Sequence, residues 1–227
     1  MWTLPNILTI TRIALAPVIA LLPFIEGYWP KVIAFVAFLA AAGSDIADGY
    51  LARSRQQITD LGILLDPIAD KLLLFATLVP IYWLTRHPTL LYGIPWWGSL
   101  PLWAAVLLVG RELAMTLFRY QARRHGVLIP AGRSGKLKVI FQDIFVGATI
   151  AWFAWKDLLV QMRWTGRLRD VWDQFHGTLV ALTLAVAVVL TLYSLASYLY
   201  RYRALLRRRA GRWTPRSSRS APSCCWA

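Results

Sequence analysis

The sequence predicts an all-α membrane protein: six transmembrane helices preceded by a short amphipathic helix lying at the interface. Three observations predict it. The 227-residue chain is 58% hydrophobic and only 16% charged, with a mean hydropathy of +0.51; a soluble domain carries about 25% charged residues. Apolar runs recur along the chain, each near the ~17–25 residues that a spanning helix needs. Arginine and lysine flank these runs instead of lying among polar surface, and the 12 tryptophans suit anchoring at the headgroup level.

The first run, 4–25, is interrupted by Arg12. Residues 4–12 are therefore expected to lie in the interface as an amphipathic lead-in, with a shorter span behind it that Pro17 and Pro23 kink or end. The next spans are expected over 32–52, 67–85, 100–119, 138–156 and 178–200. Residues 1–205 then form a single transmembrane domain, and the arginine-rich stretch 206–227 a basic, disordered cytoplasmic tail. No basic region precedes the first run, which argues against a cleaved signal peptide. The neighbouring Cys224 and Cys225 allow neither a disulfide framework nor a metal-ligand spacing. The ending CCWA fits a prenylation site by position, but not by the type of its middle residues.

The formal charge is +14, from 25 Lys and Arg against 11 Asp and Glu. With the bases placed at the ends of apolar runs, anionic membrane lipids are the expected partner and nucleic acid is not. One side collects Arg12, Arg53, Arg55, Arg119, Arg123, Arg124, Arg133, Lys136, Lys138 and the tail. The other has Lys31, Arg86 and a 157–177 loop whose Arg163, Arg167 and Arg169 face Asp157, Asp170 and Asp173. That asymmetry predicts a multi-pass protein of the cell (inner) membrane with both termini cytoplasmic.

Four acids stand out in the stretch DIADGYLARSRQQITDLGILLDPIAD. Asp45 and Asp48 are three apart and share a helix face; Asp66 and Asp70 are four apart and share a face of the next helix. Two antiparallel helices would bring the pairs together on the cytoplasmic side. Four bare carboxylates at a membrane edge repel one another, so a cation is expected between them. Hard, all-oxygen ligands suit Mg²⁺, Mn²⁺ or Ca²⁺. Four carboxylates exceed what one Mg²⁺ takes, so a two-metal cluster fits the charge better, and such clusters clamp phosphoryl displacements. Gly49 and Ala52 lie one turn apart and leave a slot for a flat base or a diphosphate; Gly62, four before Asp66, permits similar close approach. Asp60 is expected to be a solvated loop acid.

Asp45, Asp48, Gly49, Ala52, Arg53, Gly62, Asp66 and Asp70 together match D-x2-D-G-x2-A-R-x8-G-x3-D-x3-D. In this the chain resembles the CDP-alcohol phosphotransferases. LPNILTITR, LLDPIADK, GREL and GKLK extend the likeness over about residues 4–145, toward the branch that takes glycerol 3-phosphate as acceptor. Val139 stands where a threonine often follows GKxK in that branch. The resemblance implies transfer of a phosphatidyl group from CDP-diacylglycerol to glycerol 3-phosphate with release of CMP, and a homodimer. It implies two ions, Mg²⁺ or Mn²⁺, on Asp45, Asp48, Asp66 and Asp70, with Asp70 also the catalytic base. It places Gly49, Ala52, Arg53 and Gly62 on the CDP-lipid, in a site open to the cytoplasm.

A glycerol 3-phosphate dianion needs cations of its own. Arg119, Lys136 and Lys138 are expected to hold it, with Arg111 as a further candidate, since the N-terminus of span five adds free N–H groups. Arg111 and Glu112 fall inside span four, where each needs a partner. Arg12, with Asn6 and Thr9 beside it, would approach the donor diphosphate, although snorkelling to lipid phosphate explains it equally well. Open alternatives are another acceptor (phosphatidylglycerol, inositol phosphate or serine) and, from a different class, a cation-coupled transporter.

Overall fold

Runs rich in leucine, valine and alanine, with proline confined to a few positions, favour long helices, and six form among the described residues. In the computed structural model they are α1 (Leu4–Leu21), α2 (Tyr28–Arg55), α3 (Asp60–Arg86), α4 (Leu102–Arg124), α5 (Arg133–Met162) and α6 (Arg167–Arg207), with one 3-10 turn at Leu22–Phe24. The structure describes residues 4–55, 60–87, 92–94, 98–124, 133–164 and 166–207; the side chains of 4, 5, 45–55, 60–64, 119, 122–124, 133–136, 199 and 201–207 lie outside that description. The expected tail beyond 207 also lies outside it.

α1 packs against both α2 and α3, α5 against α2 and α6, and α4 against α3 and α6. Phe38, Leu78, Phe145, Trp152, Phe153 and Leu184 are buried at the centre. Outward-facing Val36, Val79, Val106, Leu182 and Val189 are exposed, an apolar exterior that lipid can cover and water cannot. Among the described residues, four helices are long and apolar enough to cross a membrane: Asn6–Phe24, Leu65–Arg86, Leu137–Met162 and Arg167–Tyr198. The apolar part of α2, Tyr28–Ser44, is shorter, and α4 carries Arg111 and Glu112 near its middle. Among the described residues six helices are present, and four of them are long and apolar enough to span.

Two sequence expectations need correction. Residues 4–12 do not form a separate interfacial helix, because α1 runs unbroken from Leu4 through Pro17 to Leu21. Its polar positions Asn6, Thr9 and Arg12 are three apart, one face of a helix. All three are buried, so the stripe that looked like a headgroup-facing edge is turned into the protein. The expected 157–177 loop shrinks to the short connection between the end of α5 at Met162 and the start of α6 at Arg167. There Arg163 (φ 50°) and Gly166 (φ 139°) take left-handed backbone, and α5 and α6 continue into the acids on either side. Asp157 is held by Lys31 and Asp173 by Lys156, so these acids do not face a loop full of arginines.

α2 and α5 approach closely where Gly147 meets Phe38: a Cβ on Gly147 would lie 3.3 Å from the Phe38 ring. At the end of the bundle where α2 starts and α5 stops, Lys31 is buried and its Nζ donates to Asp157 Oδ2 at 2.5 Å and to the Ile25 carbonyl at 3.1 Å. The Tyr92 hydroxyl donates to the other Asp157 oxygen. Burial, then that hydrogen bond and the Asp157 charge, hold the Tyr92 phenol well above its usual pKa. Removing two charges from water is costly, so this cluster persists because each polar atom has a partner.

Candidate active site

At the other end, α1 and α3 meet through side chains chosen by register. Thr9 and Arg12 are three apart on α1, and Asp66 and Asp70 four apart on α3, so each pair sits on one face. Thr9 Oγ1 donates to Asp66 Oδ1 at 2.8 Å. One turn along, Arg12 Nη1 donates to Asp70 Oδ1 at 2.9 Å. The burial is unequal: the Arg12 side chain is 1% exposed and that of Asp70 60%. The acid therefore looks outward into open space while its cation is locked in the protein. Pro67, between the two acids, withholds one backbone N–H from the helix. Its carbonyl accepts from Lys71 Nζ at 2.9 Å.

The open space is a cavity of about 720 Å³. Asp66, Asp70 and Lys71 form one wall, Arg12 and Ala42 contribute from α1 and α2, and Glu112, Thr116, Tyr120, Lys138, Gln142 and Asp143 face them from α4 and α5. α2 continues from Ala42 through Asp45 and Asp48 to Arg55.

On the far wall, Glu112 is the hub. Its carboxylate forms an ion pair with Lys138 Nζ and accepts from Arg111 Nη1 at 2.6 Å. Arg111 is buried, and its Nη2 donates to Ser194 Oγ on α6 at 2.5 Å. Arg111 thus stands behind Glu112 and is not part of the cavity wall. The partners that Arg111 and Glu112 need within an otherwise apolar helix are supplied by Ser194 and Lys138.

Of the candidate site residues, Arg12, Asp66, Asp70 and Lys138 line one cavity, with Thr9 behind Asp66 and Arg111 behind Glu112. The side chains of Asp45, Asp48, Gly49, Ala52, Arg53, Gly62, Arg119 and Lys136 lie outside the described residues. Sequence reasoning passed over Lys71, Thr116, Gln142 and the bridging role of Glu112. A signal existed for two of these: Thr116 is four from Glu112 and Gln142 four from Lys138, so polar residues repeat on one face of an otherwise apolar helix.

The described acids suit a hard divalent ion. Asp66 and Asp70 are adjacent, all-oxygen donors and open to the cavity, and Thr9 and Arg12 fix one oxygen of each, which orients the carboxylates.

Comparison with known proteins bears on this arrangement directly. Residues 2–193 match the CDP-alcohol phosphatidyltransferase family. The chain belongs to that family. It is 37% identical over 147 residues to a probable phosphatidylglycerophosphate synthase of Mycobacterium tuberculosis, covering 63% of this chain and 64% of that one. It is 31% identical over 205 residues to the CDP-diacylglycerol–glycerol-3-phosphate 3-phosphatidyltransferase of Escherichia coli K12, covering 89% of this chain and 96% of that one. It is also 41% identical over 117 residues to a CMP-forming cardiolipin synthase of Oryza sativa, covering 52% of this chain and 35% of the plant protein. The family match includes all of α1 to α5 and most of α6, so every helix that contributes to the cavity falls within it.

Proposed function

We propose that this membrane protein is a phosphatidylglycerophosphate synthase, transferring the phosphatidyl group of CDP-diacylglycerol to sn-glycerol 3-phosphate. The observation that carries the reading is the cavity with outward-facing Asp66 and Asp70 on one wall and Lys138 on the opposite one. The near full-length similarity to the Escherichia coli transferase supports the same acceptor.

In this reading the acceptor phosphate docks toward Lys138, with Arg119 and Lys136 completing its cations. Glu112 already neutralises part of that charge, so the phosphate competes with a carboxylate for Lys138. The donor's cytidine lies along Gly49 and Ala52, with Arg53 and Gly62 beside it. The acceptor's primary hydroxyl attacks the lipid-bearing phosphorus, the bond to CMP breaks, and Asp70 accepts the hydroxyl proton. Arg12 holds one oxygen of Asp70 and so aims a carboxylate that lines the cavity. Two Mg²⁺ or Mn²⁺ ions on Asp45, Asp48, Asp66 and Asp70 would neutralise the diphosphate and make the attacking hydroxyl more acidic. A six-span, homodimeric arrangement with the cavity open to cytoplasm and inner leaflet would let a lipid enter sideways and a soluble acceptor from below.

The similarity to the plant cardiolipin synthase favours a second reading, the same chemistry with phosphatidylglycerol as acceptor. Detergent-solubilised protein, given CDP-diacylglycerol and each acceptor in turn, separates the two by the mass of the lipid product. Cardiolipin as the product, with none from glycerol 3-phosphate, overturns the first reading.

A further inference from the structure

We propose that Gln142 is a specificity residue that accepts a hydrogen bond from the acceptor's secondary hydroxyl, the one next to the hydroxyl that attacks. The proposal rests on the phosphatidyl-transfer reading of this cavity. Gln142 lies on α5 one turn beyond Lys138, and both line the cavity. It is only 8% exposed, and its Oε1 is buried with no hydrogen-bond partner. Buried amide oxygens are almost always satisfied. A half-turn of the carboxamide about its last side-chain bond turns this orphaned oxygen to the cavity that Gln142 lines, where a donor arriving with the ligand can meet it.

The chemistry of that donor follows from what surrounds it. Lys138 draws the acceptor's phosphate to the same face of α5, and Asp70 waits for the attacking hydroxyl across the cavity. The carbon between these two groups carries the remaining hydroxyl and must pass along the wall that joins them. Gln142 is on that wall. A neutral amide suits the task, because a carboxylate there would oppose the phosphate. Glycerol 3-phosphate and the headgroup of phosphatidylglycerol share this secondary hydroxyl, so the recognition applies to either acceptor.

The test compares, on one preparation of full-length protein in detergent, kcat/KM for CMP release with glycerol 3-phosphate and with 3-hydroxypropyl phosphate, which lacks the central hydroxyl. Phosphatidylglycerol and phosphatidylpropanediol form the matching lipid pair. The wild type is expected to prefer the hydroxylated acceptor by about 10- to 100-fold, as a site built to bond a hydroxyl rejects the analogue without it. Gln142→Met, of similar length and apolar, should bring that ratio to about one, and Gln142→Asn should restore part of it. Because the ratio is taken within one preparation, partial loss of folded protein cancels. A wild-type ratio near one overturns the proposal without any variant, and so does discrimination that survives Gln142→Met, the result expected if a water satisfies the amide. Discrimination within the lipid pair alone sustains Gln142 while removing glycerol 3-phosphate as acceptor. No CMP release with any acceptor overturns both phosphatidyl transfer and the role of Gln142.

Discussion

Arg12 and Asp70, 58 residues apart in sequence, are joined at 2.9 Å with the guanidinium buried and the carboxylate open to the cavity. Such a pair does more to aim the acid than to stabilise the fold, since the exposed end is well solvated and gains little from the charge. Arg12→Gln is therefore expected to lower kcat for CMP release by about tenfold or more while shifting the melting temperature by only a few degrees. Turnover and thermal unfolding measured on the same samples check it; a large melting shift with unchanged kcat would assign Arg12 to stability alone.

Glu112 neutralises two cations at once. Glu112→Gln leaves Lys138 and Arg111 without their shared anion, and breaking such a partly buried network costs about 3 kcal/mol. The variant is expected to unfold at lower temperature and to gain more thermal stabilisation than wild type from added glycerol 3-phosphate, whose phosphate takes the vacated place. Equal stabilisation of the two proteins would show that phosphate does not reach Lys138.

The Lys31–Asp157–Tyr92 cluster lies at the end of the bundle away from the cavity. Lys31→Met strands a half-buried carboxylate and should destabilise the protein by about 3 kcal/mol, whereas Tyr92→Phe removes one hydrogen bond and costs about 1–2 kcal/mol. Specific activity per folded molecule should be unchanged in both. The raised pKa of Tyr92 makes its contribution constant below tyrosine's ordinary value near ~10. Above that pH the unfolded chain ionises first and the contribution falls. Chemical unfolding of wild type and Tyr92→Phe at pH 7, 9 and 11 should show their difference narrowing only at the highest pH.

Gly147 has little room to grow. Gly147→Ala puts a methyl 3.3 Å from the Phe38 ring, and Gly147→Val adds two more carbons, for an overpacking cost of about 1–3 kcal/mol. Because α2 continues from Phe38 to Asp45 and Asp48, the valine variant should also weaken divalent-ion binding, read as a higher Mg²⁺ concentration for half-maximal CMP release. Stability lost with an unchanged Mg²⁺ requirement would confine the effect to packing.

Chelation offers the broadest check. Removal of divalent ions with EDTA should abolish CMP release, and Mg²⁺ or Mn²⁺ should restore it. Asp66→Asn should raise the required ion concentration by at least about tenfold, since an amide keeps the Thr9 hydrogen bond but loses the charge. Full activity in EDTA would remove the metal from the proposed chemistry.

The helical class and most helix positions were legible because long apolar runs leave the backbone no other way to satisfy its hydrogen bonds in lipid. Acid spacing was equally readable: Asp66 and Asp70 share a face because four residues make about one turn. What escaped was partnership across helices. Asn6, Thr9 and Arg12 form a polar stripe, and a stripe looks the same whether it faces headgroups or a carboxylate 58 residues away. Glu112 was visible as a costly charge, but nothing local to α4 indicates that Lys138 reaches it. The length of the 157–177 connection was misjudged for a related reason. Charges at 157, 170 and 173 resemble a solvated loop unless the lysines that neutralise Asp157 and Asp173 are known.

The burial of Arg12 ties two helices together. Arg12 and Asp70 stand 58 residues apart, so α1 and α3 each carry half of one ion pair. Without α3 in place, the α1 guanidinium would lose that carboxylate from its buried position, at a cost in desolvation. The two helices are therefore expected to dock and separate as one cooperative unit.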